Sequence, residues 1–126
     1  MASAFPVSAA LRIRRNAQSA VYTMTAAWQT VYANARGYAW AFVSGEIDLT
    51  NMAAGDDVEI RISARNVAAG AYIVKDYLLF EDQQPTNLQK ITIGPILDTY
   101  GVLIEMRQPV AVALITCDCS FYDAVR

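Results

Sequence analysis

In the stretch GEIDLTNMAAGDDVEIRI, residues 45–62, Val58, Ile60 and Ile62 alternate with Glu59, Arg61 and Ser63. A period of two belongs to an extended strand, because successive Cβ atoms point to opposite faces of a sheet. A helix would scatter the same three side chains around its circumference. The stretch therefore reads as a β-hairpin, with one strand before residue 50, a turn over residues 50–57, and a second strand with one dry and one wet face. Asn51, Gly55 and Asp56 stand where the chain must reverse, since glycine tolerates positive φ and Asx side chains bond nearby backbone groups.

The same pattern continues along most of the chain. Tyr38, Trp40 and Phe42 alternate with Ala39, Ala41 and Val43, one face aromatic and the other small. Residues 71–81 read as the longest strand, entered by the small-residue turn Ala68, Ala69, Gly70. DQQPTN, residues 82–87, is an exposed loop, and Ile91 and Ile93 mark a short strand that Gly94 and Pro95 break. ILDTYG then reads as a connection, and residues 101–107 and 110–119 as two strands around Gln108 and Pro109. Residues 19–35 alternate only in part, and their alanines would tolerate a helix, but β-branched and aromatic content favours a strand. About eight strands result, with no helical pattern of roughly 10–15 residues between them. The expected fold is all-β: a single antiparallel β-sandwich, jelly-roll-like, over residues 16–126, with residues 1–15 as an N-terminal arm or edge strand. Val58, Ile60, Ile62, Ile91, Ile104 and Val112 should lie in its core.

The chain has 126 residues, of which 55% are hydrophobic, and no uncharged apolar run approaches the ~18 needed to span a bilayer. Its basic N-terminal residues follow the short apolar stretch instead of preceding it, so no secretory signal is expected and synthesis in a cytoplasm is. Ten Lys and Arg against twelve Asp and Glu give a formal charge of −2. No overall field draws such a domain toward nucleic acid or anionic lipid. Cys117 and Cys119, two apart in a strand, are poorly placed for a mutual disulfide and are expected reduced and partly buried.

No histidine is present, so the commonest general base and metal ligand is missing, and no nucleophile-elbow, P-loop or dinucleotide motif occurs. The expectation is no enzyme, no cofactor and no metal. Asp56 with Asp57 and Glu81 with Asp82 are the adjacent carboxylate pairs, and Asp48, Asp56 and Asp57 could be imagined around calcium, but turn formation is their ordinary role. Trp28, Tyr32, Tyr38 and Trp40 could form a sugar-stacking platform or fill the core. In the first fifteen residues Leu11 and Ile13 alternate with Arg12, Arg14 and Arg15. These five are the candidate partner-binding residues, either as a strand with a solvated basic face or as an arm docking on an acidic surface.

WQTVY, then GYAWAFVSGEIDLTNMAAGDDVEIRI, then ITIGPILDTYGVLIEMRQ, spanning residues 28–108, resemble in strand-and-turn pattern the small β-sandwich virion proteins of tailed phages and related viruses, a class that includes capsid decoration, or cement, proteins. The resemblance implies a structural protein of the virion that stabilises a shell by surface binding and self-association. It implies a homo-oligomer, a trimer by analogy, with the major capsid or another virion protein as partner. The alternative is a carbohydrate- or receptor-binding module of a viral fibre or tail, with a glycan as ligand.

Overall fold

The computed structural model describes residues 12–110 and 113–125. Eight strands account for most of them: β1 (Arg12–Arg15), β2 (Ala20–Thr23), β3 (Gln29–Asp48), β4 (Asp57–Arg65), β5 (Ile73–Glu81), β6 (Lys90–Ile93), β7 (Ile96–Val110) and β8 (Thr116–Val125). All pair antiparallel, and no helix occurs among the described residues. The chain is all-β. Its strands belong to one hydrogen-bonded sheet of order β1-β8-β3-β7-β4-β5, with β2 also on β8 and β6 also on β3.

One sheet makes a sandwich here because its longest strand runs through both layers. The first half of β3 pairs with β7 from Gln29↔Met106 to Ala35↔Gly101, and its second half pairs with β8 and β6. Between them the β3–β7 register jumps from Ala35↔Gly101 to Trp40↔Thr99 and then to Phe42↔Ile96. Such bulges bend strands and increase their twist. The sheet folds over at this corner, and side chains from its two halves meet. Cys119 Sγ on β8 lies 3.9 Å from Met106 Sδ on β7. The Tyr32 ring lies 5.0 Å from that of Phe42 and 5.1 Å from that of Phe121, centroid to centroid.

The alternation of β4 is realised: Val58, Ile60 and Ile62 are buried, as is Ile104 opposite Ile62 on β7. Ile91 is half-buried and packs on the core, whereas Val112 lies outside the described residues.

Five expectations about partners and boundaries are corrected. Residues 45–62 are not a hairpin, since β3 makes no ladder with β4, which pairs instead with β5 and β7. Residues 49–56 form an arch between layers, with Leu49 and Met52 buried at the end of the core and Leu49 N donating to Gln89 O at 2.7 Å. The longest strand is β3, not residues 71–81. ILDTYG is no connection but part of β7, which bends through it with Asp98 at φ 52°. β7 also runs on through Gln108 and Pro109. There the β4–β7 register shifts between Asp57 and Glu59, and an irregular rung tolerates a residue without an N–H. The expected strand over 19–35 divides into β2 and the start of β3, separated by a turn in which Thr25 Oγ1 donates to Ala27 O at 2.7 Å.

Candidate interaction surface

Of the five residues singled out near the N-terminus, Leu11 lies outside the described residues. Arg12, Ile13, Arg14 and Arg15 form β1, paired with Val125, Ala124, Asp123 and Tyr122 of the chain's own β8. All four are exposed, Ile13 to 55%. They are an edge strand of the sandwich. Arg14 Nε donates to Asp123 Oδ1 at 2.9 Å, so one of the three arginines has an acidic partner within the protomer.

Asp123 anchors that edge. Its carboxylate is wholly buried, and its Oδ2 accepts from Asn16 Nδ2 at 2.9 Å, Tyr32 Oη at 2.8 Å and Asn34 Nδ2 at 3.1 Å. Burial pushes the carboxyl up, but the hydrogen bonds from Arg14, Tyr32 and Asn16 prevail and hold it below the ordinary carboxylate range. One buried charge thereby ties together β1, β3, β8 and the loop after β1.

The cysteines are both free and buried. Burial pushes each thiol up to about 12, so they behave as apolar core groups and not as nucleophiles or ligands. The acidic loops also have local work. Asp48 Oδ1 accepts from Thr50 N at 2.8 Å, Asp56 Oδ2 from Ala53 N at 2.9 Å, and Asp82 Oδ1 from Gly55 N at 2.8 Å. The last contact joins the arch to the loop after β5, with Gly55 at φ 90°. Among the described residues no group of three His, Cys, Asp or Glu side chains could hold a metal ion.

The wet face of the β3–β7–β4–β5 layer is more ordered. Register places Thr30, Glu105, Arg61 and Tyr77 in one row across four strands, and Arg107, Glu59 and Leu79 in the next. Arg61 Nε donates to Glu105 Oε1 at 3.0 Å. Glu59 accepts from both Arg107 and the Tyr77 hydroxyl, and the Arg107 bond holds the Glu59 carboxyl below its usual range. Trp28 lies against both arginines, its ring centroid 4.3 Å from Arg61 Cζ and 4.5 Å from Arg107 Cζ. Cation–π attraction of this kind contributes about 0.5–1 kcal/mol each when partly exposed. A half-buried indole, two arginines and a tyrosine are thus held against one another on this face. Trp, Tyr and Arg are also the residues that dominate binding at protein interfaces.

This layer ends at β5, whose far edge pairs with no described strand. Val74, Tyr77 and Leu79 continue the rows onto that edge, 53%, 47% and 48% exposed. The four rings considered for sugar stacking are dispersed. Tyr32 and Trp40 are buried in the core, Tyr38 is half-buried beside it, and Trp28 stands on the arginine face.

The sequence places a strand at residues 71–81 but hides its position at an edge, because apolar residues of both parities, Tyr77 and Leu79 with Leu78 and Phe80, look like a strand covered on both faces. The missed signal is the polar end of the strand and its flanking loops, which suit an edge. The chain matches no known family model, no curated protein sequence and no solved structure.

Proposed function

We propose that this chain is a structural protein of a virus particle, of the capsid decoration type, which works by burying sheet surface against other copies and the shell protein, without chemistry. The observation that carries the reading is β5, an edge strand with four large apolar residues exposed: Ile73, Val74, Tyr77 and Leu79. Folded proteins protect sheet edges with charge, proline, short length or a covering partner, because an open edge templates further strands. Lys75, Asp76 and Glu81 supply some charge to β5, but nothing described covers its apolar residues. A second protein does so on this reading, and Arg61, Arg107, Trp28 and Tyr77 beside it extend the contact. Repetition over a lattice then converts modest individual contacts into firm attachment. The resemblance noted above supports the same assignment and favours a trimer.

Quantitative mass spectrometry of purified particles from the source culture tests this. The chain is expected in a fixed, lattice-related ratio to the major shell protein. Recovery only in the soluble fraction, away from particles, overturns the reading.

A further inference from the structure

One side of the folded sheet is sealed and the other is open. On the sealed side the free edge of β3 is met by side chains. Gln18 Nε2 donates to Ala33 O, and Gln18 Oε1 accepts from Ala33 N, both at 2.9 Å. The Tyr22 hydroxyl donates to Val31 O at 2.9 Å. A carboxamide carries the donor and acceptor of a peptide unit, so Gln18 substitutes there for a missing strand.

On the other side, β5, which among the described residues pairs with β4 alone, faces the corner between β7 and β6, the latter paired with β3 alone among them. Two adjoining clefts of about 190 and 180 Å³ run between these edges and share Lys75 and Ile96. Ile62, Ile93 and Ile96 are buried along the floor, and Ile73 and Leu97, 55% and 68% exposed, stand at the rim.

We propose that this open seam is the socket for residues 1–11 of a second copy of the chain, laid along the free edge of β5 as an added strand. The inference rests on the reading of the chain as an assembly subunit. Composition selects the occupant first: MASAFPVSAAL has no charged side chain and carries Phe5, Val7 and Leu11 among small residues, which suits the isoleucine floor of a seam whose walls also carry Lys75, Asp76 and Asp98. Length agrees, since eleven extended residues reach up to about 36 Å, while the nine residues of β5 span about 30 Å. Pro6 lacks an N–H and would be out of place in mid-sheet, but an outermost strand accommodates it. Position decides between copies. The segment leads into β1, which is separated from β6 at its own seam by three ladders, β1 to β8, β8 to β3 and β3 to β6. A neighbour's segment enters without that detour.

Analytical ultracentrifugation of three proteins tests the proposal: the full chain, a chain lacking residues 2–11, and full-length Leu97→Glu, whose altered side chain stands at the rim. The full chain is expected as an oligomer and each variant as a monomer, with circular dichroism confirming that both keep their strand content. Mixing the two variants restores a one-to-one complex, because one brings the segment and the other the seam. A peptide of residues 1–11 binds the truncated chain and does not bind it when Leu97→Glu is added. Variants that remain oligomeric overturn the seam as the socket while leaving attachment to particles intact. A monomeric full chain whose truncated form binds the peptide overturns it too, placing each segment in its own seam.

Discussion

With the Asp123 carboxylate removed, Arg14, Asn16, Tyr32 and Asn34 would aim donors at a group no longer there. Asp123→Ala should therefore destabilise the fold by about 3 kcal/mol, a figure kept low because the Arg14 side chain is 49% exposed and its ion pair is screened. The shift in urea midpoint measures it. The Asp123 carboxyl titrates below its unfolded value, so its contribution is complete above the ordinary carboxylate range and fades as pH falls through the folded value. Asp123→Asn should accordingly lose the part of the acid-side decline that falls below about pH 4. The thiols run the other way: Cys117 and Cys119 are raised to about 12, so unfolded chains ionise first and stability declines as pH climbs from the ordinary thiol value toward 12. Near neutral pH the native protein should react with a thiol reagent only at the rate at which it opens. A complete absence of protection would show the core to be looser than described. None of the Asp123 partnership was legible beforehand. Nothing local marks Asn16, Tyr32, Asn34 and Asp123 as neighbours, and the loop after β1, β3 and β8, which bring them together, meet only through the fold.

On the scale of a strand, β3 offers an internal comparison between two glycines. A Cβ on Gly45 would stand 3.1 Å from Phe121 Cδ1 in the core, whereas one on Gly37 would meet nothing within 4 Å. Gly45→Ala is expected to cost about 1–3 kcal/mol through overpacking, and Gly37→Ala to stay within about 0.5 kcal/mol of the parent. Guanidinium denaturation of the pair reads the contrast directly. For β5 the expectation concerns association. Leu79→Lys, at a half-exposed outward position, should leave the midpoint nearly unchanged and lower the self-association measured by light scattering at matched concentration. β4 was fully legible because its alternation is strict and it lies between two partners, β5 and β7. The hairpin with β3 was not, since a period of two tells which face a residue takes and says nothing of which strand lies beside it. The arch over residues 49–56 has turn chemistry at Gly55 and Asp56 that serves a crossing between layers as well as a reversal.

For the molecule as a whole, composition and pattern sufficed for an all-β fold of about eight strands, and the single folded sheet came from features no window could show. A strand of 20 residues reads as two because the polar Asn34 and Arg36 interrupt its apolar face between Tyr32 and Tyr38, in the same region where the β3–β7 register shifts. The Gln18 contact is testable at this scale. Gln18→Ala should leave the sandwich folded while hydrogen exchange at the Ala33 amide quickens, because water replaces the carboxamide; unchanged exchange would mean that the edge is protected by something else. The Gln18 contact also bears on symmetry. A dimer related by a two-fold axis needs the same patch on both partners, yet this sheet presents unlike flanks, one closed by its own glutamine and one open. Contacts made through the open flank join a surface to a different surface, and repeated rotation by the same operation generates a ring when it closes and a helical filament when it does not.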